Sequence, residues 1–307
     1  MLSLILAERI GSLFIIIFCG FILVKAGLLK SEQSRTLSVW SVYVLLPCVI
    51  LNSFRITCTP ETRMNFYFSV LAGLIVHIVM LILCEILKRA LHLTGVELAS
   101  AYFSNSANLV VPLISYMLGE EWLIYCNGYI CVQMVFMWTY GLSAVKGVRS
   151  ADFKSLFTNP SIIAIILGVL FFFLQPPLPA VVEGALDSMT ATIGPASMVM
   201  IGMQMAAIDF RKALANGRLY MTIFLRMILL PGIVLLVLKF SGLSALRGEG
   251  QMLLLITLLA ASAPCSSTIA QLAQLYHNEE EYASLINTLS TLSCIVTMPL
   301  MVFFYQL

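Results

Sequence analysis

The chain is dominated by apolar stretches of about 20 residues, the length of helix that crosses a lipid bilayer, and charged residues separate these stretches. The hydrocarbon core is ~30 Å thick, and each helical residue advances ~1.5 Å. Of the 307 residues, 60% are apolar and 10% are charged, whereas a soluble domain carries about 25% charged residues. A soluble core could not bury so much apolar surface. We therefore predict an all-helical, polytopic protein embedded in the lipid bilayer.

Charged residues and prolines delimit ten predicted spans, all in a single membrane domain over 1–307, because no loop is long enough for a soluble domain. The spans are 9–25, 35–55, 63–85, 97–120, 121–146, 159–176, 187–209, 218–239, 249–277 and from 281 to near the end. Loops after the odd-numbered spans hold eleven Lys and Arg, against five on the other side. This bias predicts that those loops are cytoplasmic and that both termini lie outside the cell (plasma) membrane.

Prolines recur at matching places in the two halves of the chain. Pro47 in span 2 corresponds to Pro195 in span 7, and Pro112 in span 4 corresponds to Pro264 in span 9. Prolines are common in membrane helices, but four matched ones favour a repeat. Five spans per half is an odd number, so the second copy enters the membrane from the opposite side. The predicted organisation is a first repeat over 1–146, a cytoplasmic linker over 147–154 and a second, inverted repeat over 155–307.

Two of these prolines have polar surroundings. A proline inside a helix leaves the carbonyl four residues earlier without its donor, so Pro112 frees the carbonyl of Asn108, and Pro264 frees that of Ala260. Unpaired backbone at membrane depth is tolerated where it lines a polar cavity or is buried in protein. The polar residues beside the breaks are Ser104, Asn105, Ser106 and Asn108 in span 4, and Ser262, Ser266, Ser267 and Thr268 in span 9.

Two broken helices that meet near the midplane would direct the partial positive charge of their half-helix amino ends at a bound anion. Asn105 and Asn108 can donate to a carboxylate without burying a cation. A small carboxylate is therefore the predicted substrate class. The alternative is that both asparagines only join helices by hydrogen bonds.

Three further side chains are candidates for ion coupling or for attracting an anion. His77 lies near the middle of span 3 and is the group able to change charge near neutral pH; the alternative is a neutral packed histidine. Arg226 lies inside span 8, where it could attract an anion or extend to the membrane surface. Asp187 begins a polar stripe along span 7, which favours a translocation path and helix packing equally. The coupling ion could be H⁺ or Na⁺.

No catalytic motif and no ATP-binding Walker sequence occurs in the chain, so we predict that it is not an enzyme. Its eight cysteines lack metal-ligand spacing, which predicts no metal site, and no cofactor is expected. There is no basic tract to bind nucleic acid. A homodimer and a monomer both stay open.

Four segments resemble the auxin efflux carrier family, whose members include bacterial malate permease-like proteins and the plant PIN-FORMED carriers. They are GFILVKAGLLKSEQSRTLSVWSVYVLLPCVILNSF near the start, NPSIIAIILGVL with IGPASMVMIGMQMA at the centre, and APCSSTIAQLAQLYHNEEEYASLINTLSTLSCIVTMP at the end. The resemblance covers nearly the whole chain. It implies ten helices in two inverted five-helix repeats, with helices 4 and 9 crossing at proline breaks and helices 1, 2, 6 and 7 forming a scaffold panel.

The resemblance also implies a site at this crossover, where the substrate carboxylate would contact Asn108 and the chain around Pro112, Ala263, Pro264 and Ser266. The second repeat reads AASAPC at its break, where plant carriers have a nearby asparagine. The expected function is a carrier for malate-like organic anions that works by alternating access. The rival interpretations are a sodium-coupled symporter of the bile-acid type, a non-transporting receptor for a small carboxylate, and a channel.

Overall fold

The computed structural model describes residues 2–147, 158, 160–207 and 216–307, and the regular structure in this part of the chain is helical. The predicted start of span 6, most of the predicted linker and part of the predicted cytoplasmic charge lie outside the described residues. These are Asn159, positions 148–154 of the linker, and the cations Arg149, Lys154, Arg211 and Lys212.

The helices follow the order of the predicted spans, with spans 4 and 9 each formed by two shorter helices. They are α1 (Leu2–Lys25), α2 (Ser31–Ser53), α3 (Pro60–Leu91), α4 (Gly95–Tyr102), α5 (106–117), α6 (Glu120–Lys146), α7 (Pro160–Leu174), α8 (Ala180–Ala206), α9 (Gly217–Phe240), α10 (Gly250–Ser262), α11 (Ser267–Leu275) and α12 (Glu280–Gln306).

Of the described helices, 5 are long and apolar enough to cross a membrane, namely α2, α3, α6, α9 and α12. Shorter apolar stretches occur within or across four other helices: Phe14–Lys25, Ser106–Ser115, Pro160–Leu174 and Gly250–Ser262. The prediction of an all-helical, membrane-embedded chain is confirmed by these helices. The count of ten spans and their inverted arrangement stay predictions.

Wide π-helical turns precede three of the prolines. In α2, α5 and α9 the residue before the proline donates its N–H to the carbonyl five residues back, not four. A proline ring collides with the carbonyl four residues earlier, and a widened turn relieves that collision within a continuous helix. The donor, acceptor and proline are Leu46, Ser41 and Pro47 in α2; Val111, Ser106 and Pro112 in α5; Leu230, Leu225 and Pro231 in α9.

The helices pack as two groups. The panel consists of α1, α2, α7 and α8, in which α1 lies along α8 and α2 contacts both α7 and α8. The bundle consists of α3 to α6 and α9 to α12, with α3 against α6 and α10 against α3, α6, α9 and α12. The two groups meet where α1 contacts α12 and where α5 contacts α1 and α8. Both halves of the chain therefore contribute helices to each group.

Glycines bring α1 and α8 into backbone contact. A Cβ at Gly20 would overlap the carbonyl of Val199, and a Cβ at Gly202 would overlap the carbonyl of Ile17. Small residues let membrane helices approach closely, and the association then depends on van der Waals packing, since lipid offers no hydrophobic driving force between helices. The core of the panel is consequently intolerant of added volume.

Side-chain hydrogen bonds join the bundle to the panel at both ends of α2. Asn127 of α6 donates to the hydroxyl of Ser53, and Gln271 of α11 donates to the hydroxyl of Ser38. Ser38 lies in the first half of α2 and Ser53 at its last residue. These bonds are single contacts between neutral groups, so they fix the relative position of the two groups only weakly.

Candidate functional site

The breaks in spans 4 and 9 cross each other and pair through their backbones. The N–H of Asn105 donates to the carbonyl of Pro264 over 2.8 Å, and the N–H of Ser266 donates to the carbonyl of Phe103 over 2.9 Å. Ser104 and Cys265 form an antiparallel bridge between these bonds. We call residues 103–105 and 263–266 the crossing. Each break thus supplies the backbone partners that the other lacks, which membrane burial requires.

Four half-helix ends meet at the crossing. α4 and α10 end there with their carbonyl groups, and α5 and α11 begin beyond it with their N–H groups. A helix carries a partial negative charge at its carboxyl end and a partial positive charge at its amino end. The crossing therefore places two negative and two positive helix ends close together in a buried region.

Arg226 binds the negative ends of both half-helices. Its side chain is fully buried, at 0% exposure. Nη2 donates to the carbonyls of Ala261 at 2.7 Å and Ala263 at 2.6 Å, and Nε donates to Ala263 at 3.0 Å. Nη1 donates to the carbonyls of Ala101 and Tyr102, both at 3.2 Å. The guanidinium group thus lies against the carboxyl ends of α4 and α10 at once.

Asn108 lies on the opposite, amino-end side of the crossing. It is 6% exposed, and its Nδ2 donates to the hydroxyl of Ser267 over 3.2 Å. Its other polar atom, Oδ1, has no hydrogen-bond partner among the described residues. Asn108 borders a small cavity of about 30 Å³ that is also lined by Asn105, Gln133, Trp138, Ser161 and Ser266.

Gln133 of α6 holds the first break in place. Its Oε1 accepts from the hydroxyl of Ser104 at 2.6 Å and from the N–H of Ser104 at 3.1 Å. Its Nε2 donates to the carbonyl of Ser104 at 3.0 Å and to the hydroxyl of Ser106 at 3.1 Å. The role of Gln133 is not predictable from the sequence, because an isolated amide in an apolar helix gives no pattern. The available signal was the rarity of a buried amide in a membrane helix.

The second break is held by two serines. Ser266 is the N-cap of α11, and its hydroxyl accepts from the N–H of Thr268 at 3.3 Å. Ser290 of α12 accepts from the N–H of Cys265 at 3.1 Å. Ala263 and Pro264 form the backbone of the break and present their carbonyls to Arg226 and to Asn105 respectively.

A larger cavity of about 340 Å³ lies on the side of the crossing towards Glu120. Pro112 of α5 and Gly194 of α8 meet in its wall, and a Cβ at Gly194 would approach Pro112 to 3.2 Å. Ser12 and Thr190 add polar groups to the lining. The smaller cavity lies at the crossing itself, since Ser104, Asn105 and Ser266 line it, and it is only large enough for about one water molecule.

Of the two remaining candidates, His77 lies beside the end of α4, where the hydroxyl of Tyr102 donates to its carbonyl over 3.0 Å, and Asp187 lies away from the crossing. His77 is buried, its Nδ1 lies 2.8 Å from the carbonyl of Gly73, and its ring centroid lies 4.5 Å from that of Tyr129. Asp187 pairs with Arg55 across 3.1 Å, and its side chain is 59% exposed. The structure therefore brings the asparagines, Pro264, Ser266 and Arg226 together, with Pro112 one turn beyond, whereas Asp187 lies in the panel.

Long apolar helices arranged around two interrupted, crossing helices define a class of multi-pass membrane transporters. Comparison with protein families agrees with this class. The model of the family described as Membrane transport protein matches residues 5–151 and 144–302. The chain therefore belongs to this family, which is the auxin efflux carrier family that its motifs predicted. No curated protein matches the chain.

Proposed function

We propose that the chain is a secondary carrier of small organic anions, such as malate-like carboxylates, and that it works by alternating access. The proposal includes ten spans in two inverted repeats, over 1–146 and 155–307, in the plasma membrane with both termini outside. The observation that carries it is Asn108, whose buried amide borders a cavity that Asn105 and Ser266 also line, at the amino ends of two crossing half-helices.

The chemistry of this side of the crossing suits a carboxylate. The Asn108 amide is a donor whose present partner is a neutral hydroxyl, and it could turn to a carboxylate oxygen. The amino ends of α5 and α11 add partial positive charge without a mobile cation. The neighbouring hydroxyl groups of Ser266 and Ser267 can donate to a second oxygen.

Alternating access is supported by the unequal cavities. Under the predicted topology, the 340 Å³ cavity opens towards the outside, and the 30 Å³ cavity extends from the crossing towards Trp138 and Ser161 on the cytoplasmic side. The structure then corresponds to a state in which the inner route is closed. Movement of the bundle against the panel would close the outer cavity, in whose wall Pro112 meets Gly194, and would enlarge the inner one. The weak hydrogen bonds to α2 permit such a movement.

The test is uptake of labelled malate into proteoliposomes under separately imposed proton and sodium gradients, with a panel of small carboxylates as competitors. Asn108→Ala should lower uptake by about tenfold or more, because a hydrogen bond to a charged group contributes about 1.5–3 kcal/mol. The matched control is Gln274→Ala, which removes an exposed amide from α11 and should transport like the wild type.

Each result has a definite meaning. Folded protein without flux for any carboxylate would refute the anion carrier, and ligand binding without flux would favour a receptor. Normal uptake by Asn108→Ala would refute the site. Uptake driven by a proton or sodium gradient would identify the coupling ion.

A further inference from the structure

Arg226 is a fully buried cation in the middle of α9. Among the described residues no carboxylate contacts its guanidinium group, and all three nitrogens donate to main-chain carbonyls. A charge inside a membrane protein is costly unless it is paired or solvated. The compensation here must come from the peptide dipoles at the carboxyl ends of α4 and α10, since those are the groups that the guanidinium contacts.

The charges at the crossing balance when they are counted in this way. Each half-helix carboxyl end carries about half a negative elementary charge, so the two ends together offset about one positive charge. The guanidinium supplies that charge. The amino ends of α5 and α11, worth about half a positive charge each, are then left without a counter-charge.

In carriers with discontinuous helices, the half-helix carboxyl ends and the unwound carbonyls commonly coordinate the coupling Na⁺ or H⁺. In this chain those carbonyls are already occupied. Ala261 and Ala263 belong to the end of α10, and Ala101 and Tyr102 belong to the end of α4. Arg226 therefore sits where a coupling cation would bind.

We propose that Arg226 is a resident counter-cation that replaces a bound coupling cation at the crossing. It neutralises the carboxyl ends of both half-helices, ties α4 and α10 to α9, and leaves the positive amino ends free for an anion. Transport consequently requires no sodium. The part of this inference that concerns the anion rests on the proposed function. The part that concerns the cation does not.

The shape of the side chain matters as well as its charge. Arginine presents a planar fork with donors directed to both sides, whereas lysine presents one compact ammonium group. Nε and Nη2 donate to the carbonyls at the end of α10, and Nη1 donates to those at the end of α4. Lysine would keep the charge but could not span both half-helices in the same geometry. Arg226→Lys should therefore only partly replace the wild type.

The first experiment measures thermal unfolding of the purified full-length protein in detergent, with guanidinium, sodium or choline chloride at equal low millimolar concentration. Arg226→Ala should lower Tm by about 5 °C or more, because it leaves several buried carbonyls unpaired. Guanidinium, and to a lesser extent sodium, should restore part of that loss by entering the vacated space. Arg63→Ala, which removes an exposed arginine from α3, should show neither the loss nor the recovery.

The second experiment measures anion uptake by the wild type and the variants. If Arg226 were only a structural cap, uptake by Arg226→Ala would not depend on added cations. Wild-type uptake should be equal in sodium and choline. Uptake by Arg226→Ala should become dependent on guanidinium or sodium, and Arg226→Gln should raise KM several-fold more than it lowers the maximal rate. If Arg226→Ala does not fold, Arg226→Lys and Arg226→Gln serve in both experiments.

The inference fails if wild-type uptake requires sodium, or if no added cation restores the stability of Arg226→Ala. A carrier that transports anions only with sodium would leave the proposed function standing and refute the counter-cation. Recovery of the Tm of Arg226→Ala by guanidinium, in a protein without any anion flux, would support the counter-cation and refute the proposed function.

Discussion

The amide of Asn108 and the hydroxyl of Ser267 form a hydrogen bond of 3.2 Å between the two interrupted helices. The two residues lie 159 positions apart, in opposite halves of the chain. Both belong to the amino-end side of the crossing, so the bond makes one polar surface out of two half-helices. The amide has a second N–H, so a ligand that accepts from it would contact both halves together.

Asn108→Asp tests the sign of charge that this surface accepts. The substitution keeps the size of the side chain but replaces a donor with a carboxylate beside the anion site. Uptake of a carboxylate should fall further than in Asn108→Ala, because like-charge repulsion adds to the lost hydrogen bond. The comparison requires initial uptake rates at several substrate concentrations. Gln274→Glu, which adds a charge on the exposed face of α11, should leave KM unchanged.

Arg218→Gln tests the ion pair between α9 and α4. Arg218 contacts Glu97 at 2.5 Å, and the Glu97 side chain is only 1% exposed. Removing the cation leaves a buried carboxylate with weaker neutral partners, which should reduce the free energy of unfolding by about 3 kcal/mol. Thermal unfolding in detergent measures the loss. The double variant Arg218→Gln with Glu97→Gln should recover part of it, and a double variant no more stable than Arg218→Gln would contradict the pairing.

Gly202→Ala tests the backbone contact between α1 and α8. The added methyl group meets the carbonyl of Ile17, so the helices must separate, and overpacking of this kind costs about 1–3 kcal/mol. Gly184→Ala on the same helix is the matched control, because its Cβ would meet open space. Tm should fall for Gly202→Ala and stay level or rise for Gly184→Ala. Equal behaviour of the two variants would argue against a rigid panel.

A cross-link between Ser38→Cys and Gln271→Cys tests movement of the bundle against the panel. These side chains contact each other across the boundary between the two groups. In a background without the native cysteines, a short bifunctional maleimide joining them should abolish uptake. The control pair, Asn65→Cys with Glu249→Cys, lies within the bundle, where the parent side chains are 2.8 Å apart. Its cross-linking should leave uptake intact, and uninhibited uptake with the first pair would rule out the movement.

Hydropathy, proline position and local polarity predicted the helices and the two breaks well. Pro112 and Pro264 signalled the interruptions because a proline next to small polar residues has a direct effect on its own helix. Even so, Pro112 follows a π-helical turn, and the chain is interrupted several residues before it, at 103–105. The widened turn before Pro231 has the same cause, and it contains Arg226.

The parts of the site that escaped prediction depend on partners far away in the chain. The role of Arg226 is defined by main-chain carbonyls, which every residue has. Nothing in the side chains of Ala101 and Ala263 indicates that their carbonyls accept from a guanidinium group. Gln133 is defined by Ser104 and Ser106 in another helix. Side-chain identity alone does not encode such pairings. They become visible only when the crossing is assembled.

The mutual pairing of the two breaks has a consequence for how the protein is made. A ribosome delivers Asn105 and Phe103 long before it delivers Pro264 and Ser266, which are their backbone partners. Until the second half is inserted, those groups depend on water or on the insertion machinery. Arg226 likewise emerges before the carbonyls of α10 that it binds. The crossing is therefore among the last parts of the molecule to mature, and truncated chains should be targets for quality-control proteolysis.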